Sequence, residues 1–373
     1  MTQVVISGSG LWTPENTISN AELVESFNKY AEKFNQQHAQ EIEAGTREAM
    51  PYSNAEFIKK ASGISSRYVY EKDGILDPER MYPDIPERGE NELSNQAEIA
   101  VKAAKDAIAN ANQSVENIDA VIVSCAYTQR AYPAIAIEVQ EQLGIEGFGF
   151  DMLVACSAGT FALHRAYEMV KAGTARSVLV INPELATPQL NFRDRDSHFI
   201  FGDVATAMLV EADDHSRSSS KFEILSTQAK TKYSSNIRSN FGYMSRANGV
   251  DPFGNDKLFH QEGRKVFKEV CPMAAAHIVA HMAKHQLEAS DVKRWWLHQA
   301  NINMNLLIAK KILGREATEE EAPIVLDRYA NTASAGSLIA FHLHNQDLQS
   351  GDYGVLCSFG AGYSIGSLMI RKC

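Results

Sequence analysis

Short runs of apolar residues alternate along this chain with amphipathic segments. The runs are rich in β-branched residues, have the length of buried strands, and cover residues 4–6, 120–123, 148–154, 178–181 and 295–297. Between them, residues 96–109 and 160–170 place apolar side chains at helical spacing. Strands that alternate with helices in this way predict an α/β fold.

A weak internal repeat indicates two similar halves. The segment FGDVATAMLV, which begins at Phe201, resembles FGAGYSIGSLM, which begins at Phe359, because in each a Phe-Gly turn precedes a strand of small and apolar residues. The polar residues 213–220 are expected to connect one half, 1–215, to the other, 216–373. A surface loop within a single domain is an equally good interpretation of that polar run.

Two stretches, 28–55 and 73–90, interrupt the α/β alternation. The first is rich in Glu, Gln and Ala and predicts a helix, whereas the second carries three prolines and many charges and predicts an irregular surface segment. Two interpretations of these insertions stay open, namely solvated decoration and a lid over the active site.

Composition narrows the classes of function. The 373 residues carry a formal net charge of -10 and no Lys/Arg block, which argues against nucleic-acid binding, although a local basic patch can still bind coenzyme A or an acidic carrier protein. The five scattered cysteines lack the spacings of zinc sites and fit reduced thiols. With no signal-like N-terminus and no apolar run of membrane-spanning length, a soluble cytoplasmic protein without membrane contact is expected.

Cys156 is the first candidate for chemistry. It follows the apolar segment 148–154 and precedes Ser157, Ala158 and Gly159, so it stands where a strand gives way to a helix. Free backbone N–H groups and the helix dipole at such a junction are expected to lower the pKa of a thiol. A buried, inert cysteine is the alternative for this motif taken alone.

Two further segments support a catalytic role for Cys156. His298 stands at the end of the run WWLHQAN, and intracellular cysteine enzymes commonly pair their thiol with a distant histidine. Asn331 stands in YANTASAGS, before a helix of small residues, where capping of that helix is the structural alternative. Together the three residues predict a thiol-based catalytic centre.

In this order the three segments resemble those of the β-ketoacyl-[acyl-carrier-protein] synthase III family, whose catalytic Cys, His and Asn occupy comparable motifs. The resemblance covers nearly the whole chain except the two insertions. It implies a five-layered α/β/α/β/α thiolase-like fold, a homodimer, and no metal or other cofactor. It also implies that acyl-CoA acylates Cys156 and that backbone N–H groups of Cys156 and Ala361 hold the oxyanion. Malonyl-acyl carrier protein would then lose CO2 to give an enolate, which His298 and Asn331 would stabilise.

The same resemblance assigns residues that bind substrate. Phe57 and Arg195 would frame the adenine of CoA, although the family often has a Trp and an Arg where this chain has Phe57 and Ala61. Tyr132 would reach across a dimer to the acyl pocket, and Phe359 would line the site. Basic residues that would dock the carrier protein are Lys268, Lys310 and Lys311, with Asn303 in place of an expected Arg. Solvated helix faces are an equal interpretation for the lysines.

Other functions are less compatible with these residues. A degradative thiolase needs a second cysteine where this chain has Ser358, since Cys357 comes one residue early and faces the other side of a strand. A 3-hydroxy-3-methylglutaryl-CoA synthase would use a Glu base, and no Glu lies between residues 148 and 167. An acyltransferase with a non-carrier acceptor is the main alternative, and a non-catalytic acyl-binding protein is a weaker one.

Overall fold

The computed structural model describes residues 2–89, 91–247, 251, 254 and 256–373, so Met1 and Glu90, the ends of two predicted segments, lie outside the described residues. The strands are β1 (Val4–Trp12), β2 (Asn16–Ser19), β3 (Ser66–Val69), β4 (Ala120–Cys125), β5 (Phe148–Leu153), β6 (Ser177–Glu184), β7 (Val204–Ala212), β8 (Phe222–Ser234), β9 (Ile237–Arg238), β10 (His260–Gln261), β11 (Val292–Leu297), β12 (Tyr353–Gly360) and β13 (Gly362–Lys372). Every apolar run that predicted a strand therefore lies largely within one.

The α-helices follow the amphipathic segments. They are α1 (Asn20–Gln37), α2 (Ala39–Glu43), α3 (Ala55–Ser62), α4 (Asp73–Leu76), α5 (Asn95–Asn110), α6 (Ile135–Leu143), α7 (Ala158–Lys171), α8 (Tyr243–Ala247), α9 (Gly263–Ala283), α10 (Ile302–Leu313), α11 (Leu326–Tyr329) and α12 (Gly336–Leu343). Sequence signals fix some of their ends: α1 begins with a capping box between Ser19 and Glu22, and α6 ends at Gly144 in the left-handed conformation.

Within the described residues, nine strands form one mixed sheet in the order β11-β12-β13-β8-β1-β7-β6-β4-β5. The pairs β4–β5, β4–β6 and β11–β12 are parallel, and the other pairs are antiparallel. The strands fall into a group of five and a group of four that meet only where Val5 and Ile6 of β1 pair with Glu223 and Phe222 of β8. This narrow connection lets the two groups stack rather than extend as one flat sheet.

Helices cover both groups of strands and produce five layers. Helices α5 and α6 pack on the outer face of the first group, and α9 packs on the outer face of the second with α10 beside it. Helices α7 and α12 lie between the two groups, where α7 contacts β4 and β6 on one side and β8 and β13 on the other. Apolar clusters fill each junction between layers. The order of layers is α/β/α/β/α, as the resemblance implied.

The first insertion is largely solvent-exposed. Helix α1 continues into it, and of residues 28–55 only Ala31 and Ser53 are buried. Ala31 belongs to a cluster that also contains Phe192 and Phe201. Both interpretations of this insertion stay predictions. The second insertion consists of the short helix α4 followed by irregular chain through residue 89, as its prolines and charges predict.

The polar residues 213–220 connect β7 to β8, which places them between the two groups of strands. The division into halves at residue 215 stays a prediction, since the strands on both sides of it belong to one continuous sheet. Among the described residues, no helix has both the length and the apolar character needed to span a bilayer.

Candidate active site

Cys156 lies in a one-turn 3-10 helix, Ala155–Ser157, between the end of β5 and the start of α7. The preceding residue, Ala155, has φ of 45°, a left-handed conformation that is costly for a residue with a Cβ. The chain therefore turns sharply at the strand-to-helix junction that the sequence predicted. Such a turn presents the Cys156 side chain away from the regular strand and helix that flank it.

The loop between β12 and β13 closes over this turn. A Cβ added to Gly360 would lie 2.5 Å from Cβ and 3.2 Å from Sγ of Cys156, so only glycine permits this approach. The neighbouring Ser364 accepts a hydrogen bond from Ser157 Oγ through its carbonyl oxygen at 2.9 Å. Close packing and hydrogen bonding thus hold the nucleophile turn against the β12–β13 connection.

Two backbone N–H groups, those of Cys156 and Ala361, donate to the thiol and favour its ionised form. The family resemblance implies that these same two N–H groups hold the oxyanion. Ala361 is not among the six non-glycine residues with positive φ in the described chain, so replacement of a family glycine by alanine causes no left-handed strain there. N–H groups that converge on Sγ in this way could also donate to the oxygen of an acyl group attached to Sγ.

The expected low pKa of the Cys156 thiol is wrong for this structure. Burial raises its pKa to about 12, and the negative charge of Glu184 raises it further, while the N–H groups of Cys156 and Ala361 only partly oppose the increase. The prediction considered the helix start alone, whereas the loss of hydration in the closed site has the larger effect. The Cys156 thiol is therefore neutral at physiological pH, and it would have to lose its proton in order to act as a nucleophile.

His298 follows β11 directly and is 2% exposed. Its ring packs edge-on against the ring of Phe359, with centroids 5.1 Å apart, and its Nδ1 is buried without a hydrogen-bond partner in the described chain. Burial lowers the pKa of His298 to about 4, so the imidazole is neutral at physiological pH. A neutral imidazole can accept a proton from a thiol or donate an N–H to a developing enolate.

Asn331 is held in place through its backbone. Its N–H donates to the carbonyl of Ile200 at 2.9 Å, and its carbonyl accepts from the N–H of Gly202 at 3.2 Å. Its Oδ1 accepts from the N–H of Ala333 at 3.0 Å, and no hydrogen bond from Nδ2 occurs within the described residues. Helix α12 begins later and is capped at Ala335, so Asn331 is not its N-cap. The amide group retains a donor for a substrate.

Phe57 and Arg195, the predicted adenine-binding pair, do lie together. The Arg195 guanidinium is 4.3 Å from the centre of the Phe57 ring, and its Nε donates to the carbonyl of Tyr52 at 2.9 Å. Because Tyr52 belongs to the first insertion, that insertion contacts the predicted substrate-binding residues. Two of the positions that depart from the family, Asn303 and Ala61, are also neighbours, since Asn303 Nδ2 donates to the carbonyl of Ala61 at 3.4 Å.

The remaining predicted site residues lie in different places, one in the interior and the others on the surface. Phe359 is buried beside His298, whereas Tyr132 lies in the loop before α6 with 78% of its surface exposed. Lys268 is exposed on α9, and Lys310 and Lys311 are exposed on the adjacent α10, where Lys310 forms an ion pair with Glu316 at 2.7 Å. The three lysines thus lie on two adjacent helices, and their role in carrier-protein docking stays a prediction.

Sequence reasoning missed Glu184, the last residue of β6. Its carboxylate is fully buried, accepts hydrogen bonds from the backbone N–H groups of Ala126 and Ser334 at 3.1 Å each, and acts electrostatically on Cys156. The search for a Glu near the nucleophile covered only the adjacent sequence, yet the fold brings one in from a neighbouring strand. An acidic residue at the end of an otherwise apolar strand was the available signal.

Ser358, the residue that stands where a thiolase would have its second cysteine, faces the interior and donates to Thr160 Oγ1 at 2.8 Å. Cys357 packs into the apolar cluster on the opposite face of β12, as the alternation of strand side chains predicts. In the described ranges, His, Cys, Asp and Glu side chains form no group of three or more that could hold a metal ion. The predicted absence of a cofactor stays a prediction.

The five layers, the partly buried Cys156 and the buried His298 and Asn331 agree with what is expected of a thiolase-like condensing enzyme. Models of the 3-Oxoacyl-[acyl-carrier-protein (ACP)] synthase III family match residues 150–232, and its C-terminal model matches residues 282–372. The chain is 56% identical over 349 residues to the beta-ketodecanoyl-[acyl-carrier-protein] synthase of Pseudomonas aeruginosa, covering 94% of this chain and 100% of that protein. It is 28% identical to the beta-ketoacyl-[acyl-carrier-protein] synthase III of Granulibacter bethesdensis, covering 100% of both.

Solved structures agree on the fold. The 3-oxoacyl-[acyl-carrier-protein] synthase III of Aquifex aeolicus aligns with a TM-score of 0.75 at 24% identity over 99% of both chains, and the priming β-ketosynthase of the R1128 polyketide pathway aligns with 0.77 at 21% over 99% and 96%. The thiolase-like fold is confirmed. The chain belongs to the β-ketoacyl-[acyl-carrier-protein] synthase III family and is a condensing acyltransferase of fatty acid biosynthesis.

Proposed function

We propose that this enzyme uses Cys156 as its nucleophile, an acyl-CoA as its donor and malonyl-acyl carrier protein as its extender. The observation that supports this assignment most directly is the pair of N–H groups, from Cys156 and Ala361, that converge on the Cys156 thiol. A tetrahedral intermediate formed on Sγ would place its oxyanion close to these two donors. The assignment of His298 and Asn331 to the second half of the reaction is supported by the neutral imidazole of His298 and by the donor that the Asn331 amide retains.

In the first half-reaction, Sγ of Cys156 attacks the thioester carbonyl, and the C–S bond to CoA breaks. The thiol proton leaves for the CoA sulfur, with neutral His298 as the base that carries it. In the second, the malonyl group loses CO2, and the electron pair of the broken C–C bond forms an enolate that accepts hydrogen bonds from His298 and Asn331. The enolate carbon attacks the acyl-cysteine, and Cys156 leaves and regains a proton.

We further propose that the primer is of medium length. The relative that shares 56% identity is named for a β-ketodecanoyl product, which has ten carbons, of which the decarboxylated malonyl unit supplies two, so that an eight-carbon primer is implied. The match extends over 94% of this chain and 100% of that protein. Octanoyl-CoA is therefore the donor that we expect to react fastest.

A homodimer is the assembly that we propose. In the described sheet, β5 is an end strand with one neighbour, and its residues Phe148 and Leu153 are 42% and 55% exposed. Tyr132 and Ile137, on the adjacent loop and helix α6, are also exposed. An apolar edge strand of this kind is open to pairing with a second copy. Sedimentation of the purified protein tests whether it is a dimer. We also propose that the protein is located in the cytoplasm.

The test of the reaction follows both halves separately. We expect octanoyl-CoA to add the mass of an octanoyl group to the intact enzyme faster than acetyl-CoA or dodecanoyl-CoA, and C156S to show no adduct. Addition of malonyl-acyl carrier protein labelled in its carboxyl group should then release labelled CO2. An adduct on C156S would place the nucleophile elsewhere. Failure of the wild-type enzyme to release CO2, with malonyl-acyl carrier protein or malonyl-CoA, would refute the decarboxylating mechanism.

A further inference from the structure

Glu184 occupies an unusual position for a carboxylate. It is the last residue of β6 and is fully buried, yet its hydrogen-bond partners in the structure are neutral N–H and O–H groups. A buried charge without a cationic partner costs free energy unless hydrogen bonds compensate for lost hydration. Nothing in the chemistry of acyl transfer from CoA to Cys156 requires this residue as a base, since its oxygens are already engaged. Its role must lie in what those hydrogen bonds hold.

The hydrogen bonds join three separate parts of the site. Ala126 N–H, just after β4, donates to both carboxylate oxygens at 3.1 and 3.2 Å. Ser334, three residues after Asn331, donates through both its backbone N–H and its hydroxyl. The Ser334 hydroxyl in turn accepts from Asn182 Nδ2 at 3.3 Å. Glu184 thereby connects the ends of β4 and β6 to the loop that carries Asn331.

This connection extends to the nucleophile. A Cβ added to Gly159 would lie 2.9 Å from the carbonyl oxygen of Ser334, so the Asn331 loop rests against the first turn of α7, directly after Cys156. The carboxylate also raises the pKa of the Cys156 thiol through its charge. Displacement of Ser334 would change the position of the Asn331 loop relative to the acylated cysteine.

We propose that Glu184 is a positioning residue for the condensation half-reaction, which acts by anchoring the Asn331 loop through Ser334. The proposal rests on the proposed function of Cys156 and Asn331. Acylation needs the thiol and its two N–H donors, which Glu184 does not hold, whereas condensation additionally needs the Asn331 amide in place. The role of Glu184 is therefore specific to the second half-reaction.

The ionisation of Glu184 supplies a signature for this role. Burial raises the pKa of Glu184 to about 7, with a further contribution from Asp203, while its hydrogen bonds oppose the increase. The other titratable groups that sense its charge are Cys125, Tyr127 and Cys156. Burial or that charge raises the pKa values of all three above neutrality, and burial lowers the pKa of His298 to about 4. Burial also raises the pKa of Asp203, whose charge acts on Glu184. In the acyl-enzyme the Cys156 sulfur no longer titrates, and we assign the change of charge near pH 7 to Glu184, an assignment that E184Q tests.

The carboxylate form accepts charge-assisted hydrogen bonds, and protonation weakens them. Condensation by the acyl-enzyme should therefore slow as the pH falls through about 7. In E184Q the amide carries no charge, so we expect condensation to be slower at pH 8 by roughly 10- to 100-fold and to lose this acid limb. Loss of the charge also removes one of the effects that raise the pKa of the Cys156 thiol, so adduct formation with octanoyl-CoA should not become slower than wild type by more than about threefold.

The experiment is a single-turnover assay of pre-acylated enzyme mixed with malonyl-acyl carrier protein between pH 5.5 and 8.5, with β-ketoacyl product measured. A matched control is E211Q, because Glu211 is a second fully buried carboxylate that bonds to Ser177 at the opposite end of β6. E211Q should retain the wild-type acid limb. S334A keeps the carboxylate but removes the two hydrogen bonds of the Ser334 hydroxyl, to Glu184 and from Asn182, and should slow condensation about three- to tenfold without affecting the adduct.

The proposal would be overturned if E184Q condensed at the wild-type rate with the wild-type pH profile. It would also be overturned if a folded E184Q lost acylation and condensation equally. If E184Q does not fold, S334A decides, since unchanged condensation in that variant contradicts the anchoring role. The reaction of the wild-type enzyme distinguishes a failure of this proposal from a failure of the proposed function. Absence of product from wild-type enzyme refutes the function, whereas normal product with insensitive variants refutes only the role of Glu184.

Discussion

Replacement of Gly360 by alanine tests whether close packing positions the nucleophile. The new Cβ would lie 2.5 Å from Cβ of Cys156, which is held by the backbone turn and cannot rotate away. Carbon atoms need about 3.5 Å, so the turn or the β12–β13 connection must shift by about 1 Å. A shift of that size at a reacting atom costs on the order of 100-fold in rate, and overpacking of this kind costs about 1–3 kcal/mol of stability.

Adduct formation with octanoyl-CoA, followed by intact mass over time, measures the loss of rate in G360A. Thermal unfolding measures the loss of stability, which should lower Tm by roughly 1–4 °C. A matched control is G263A, because a Cβ at Gly263, at the start of α9, meets nothing within 4 Å. G263A should acylate at the wild-type rate. Acylation of G360A at the wild-type rate, with G263A unaffected, would show that contact between Gly360 and Cys156 does not position the thiol.

Three further predictions follow from the described contacts. N331A should form the acyl adduct normally and lose condensation by at least about 100-fold, because its amide is assigned only to the enolate; loss of the adduct by intact mass would give Asn331 a structural role instead. R195A should raise KM for octanoyl-CoA about tenfold but leave KM for octanoyl-pantetheine unchanged, since Arg195 lies over Phe57 where the adenine is expected; equal effects on both donors would place adenine elsewhere. Burial lowers the pKa of His281 from 6.5 to about 3. The folded state therefore favours the neutral imidazole, and the stability that this residue contributes above pH 6.5 is lost as the pH falls toward 3. Urea unfolding should show a loss of about 2 kcal/mol from this residue between pH 7 and pH 5, and H281Q should reduce that loss.

The catalytic motifs show how much a sequence alone can predict. Apolar runs of strand length and amphipathic segments of helical spacing placed the main elements correctly, because burial on both faces of a strand or one face of a helix leaves a local pattern. The order and motifs of Cys156, His298 and Asn331 led to the family, which the comparisons confirmed. The turns that carry Cys156 and His298 also lie where strands give way to helices, as their neighbouring residues indicate.

Other properties depend on residues that are distant in sequence. The need for glycine at position 360 arises only because β12 ends against the Cys156 turn. The high pKa of Cys156 arises because the closed site removes water and places the Glu184 carboxylate nearby, effects that outweigh the local advantage of a helix start. Local sequence determines which elements form and which residue types can react. Tertiary packing alone determines their hydration, their charges and their neighbours, because these depend on which strands and loops the fold brings into contact.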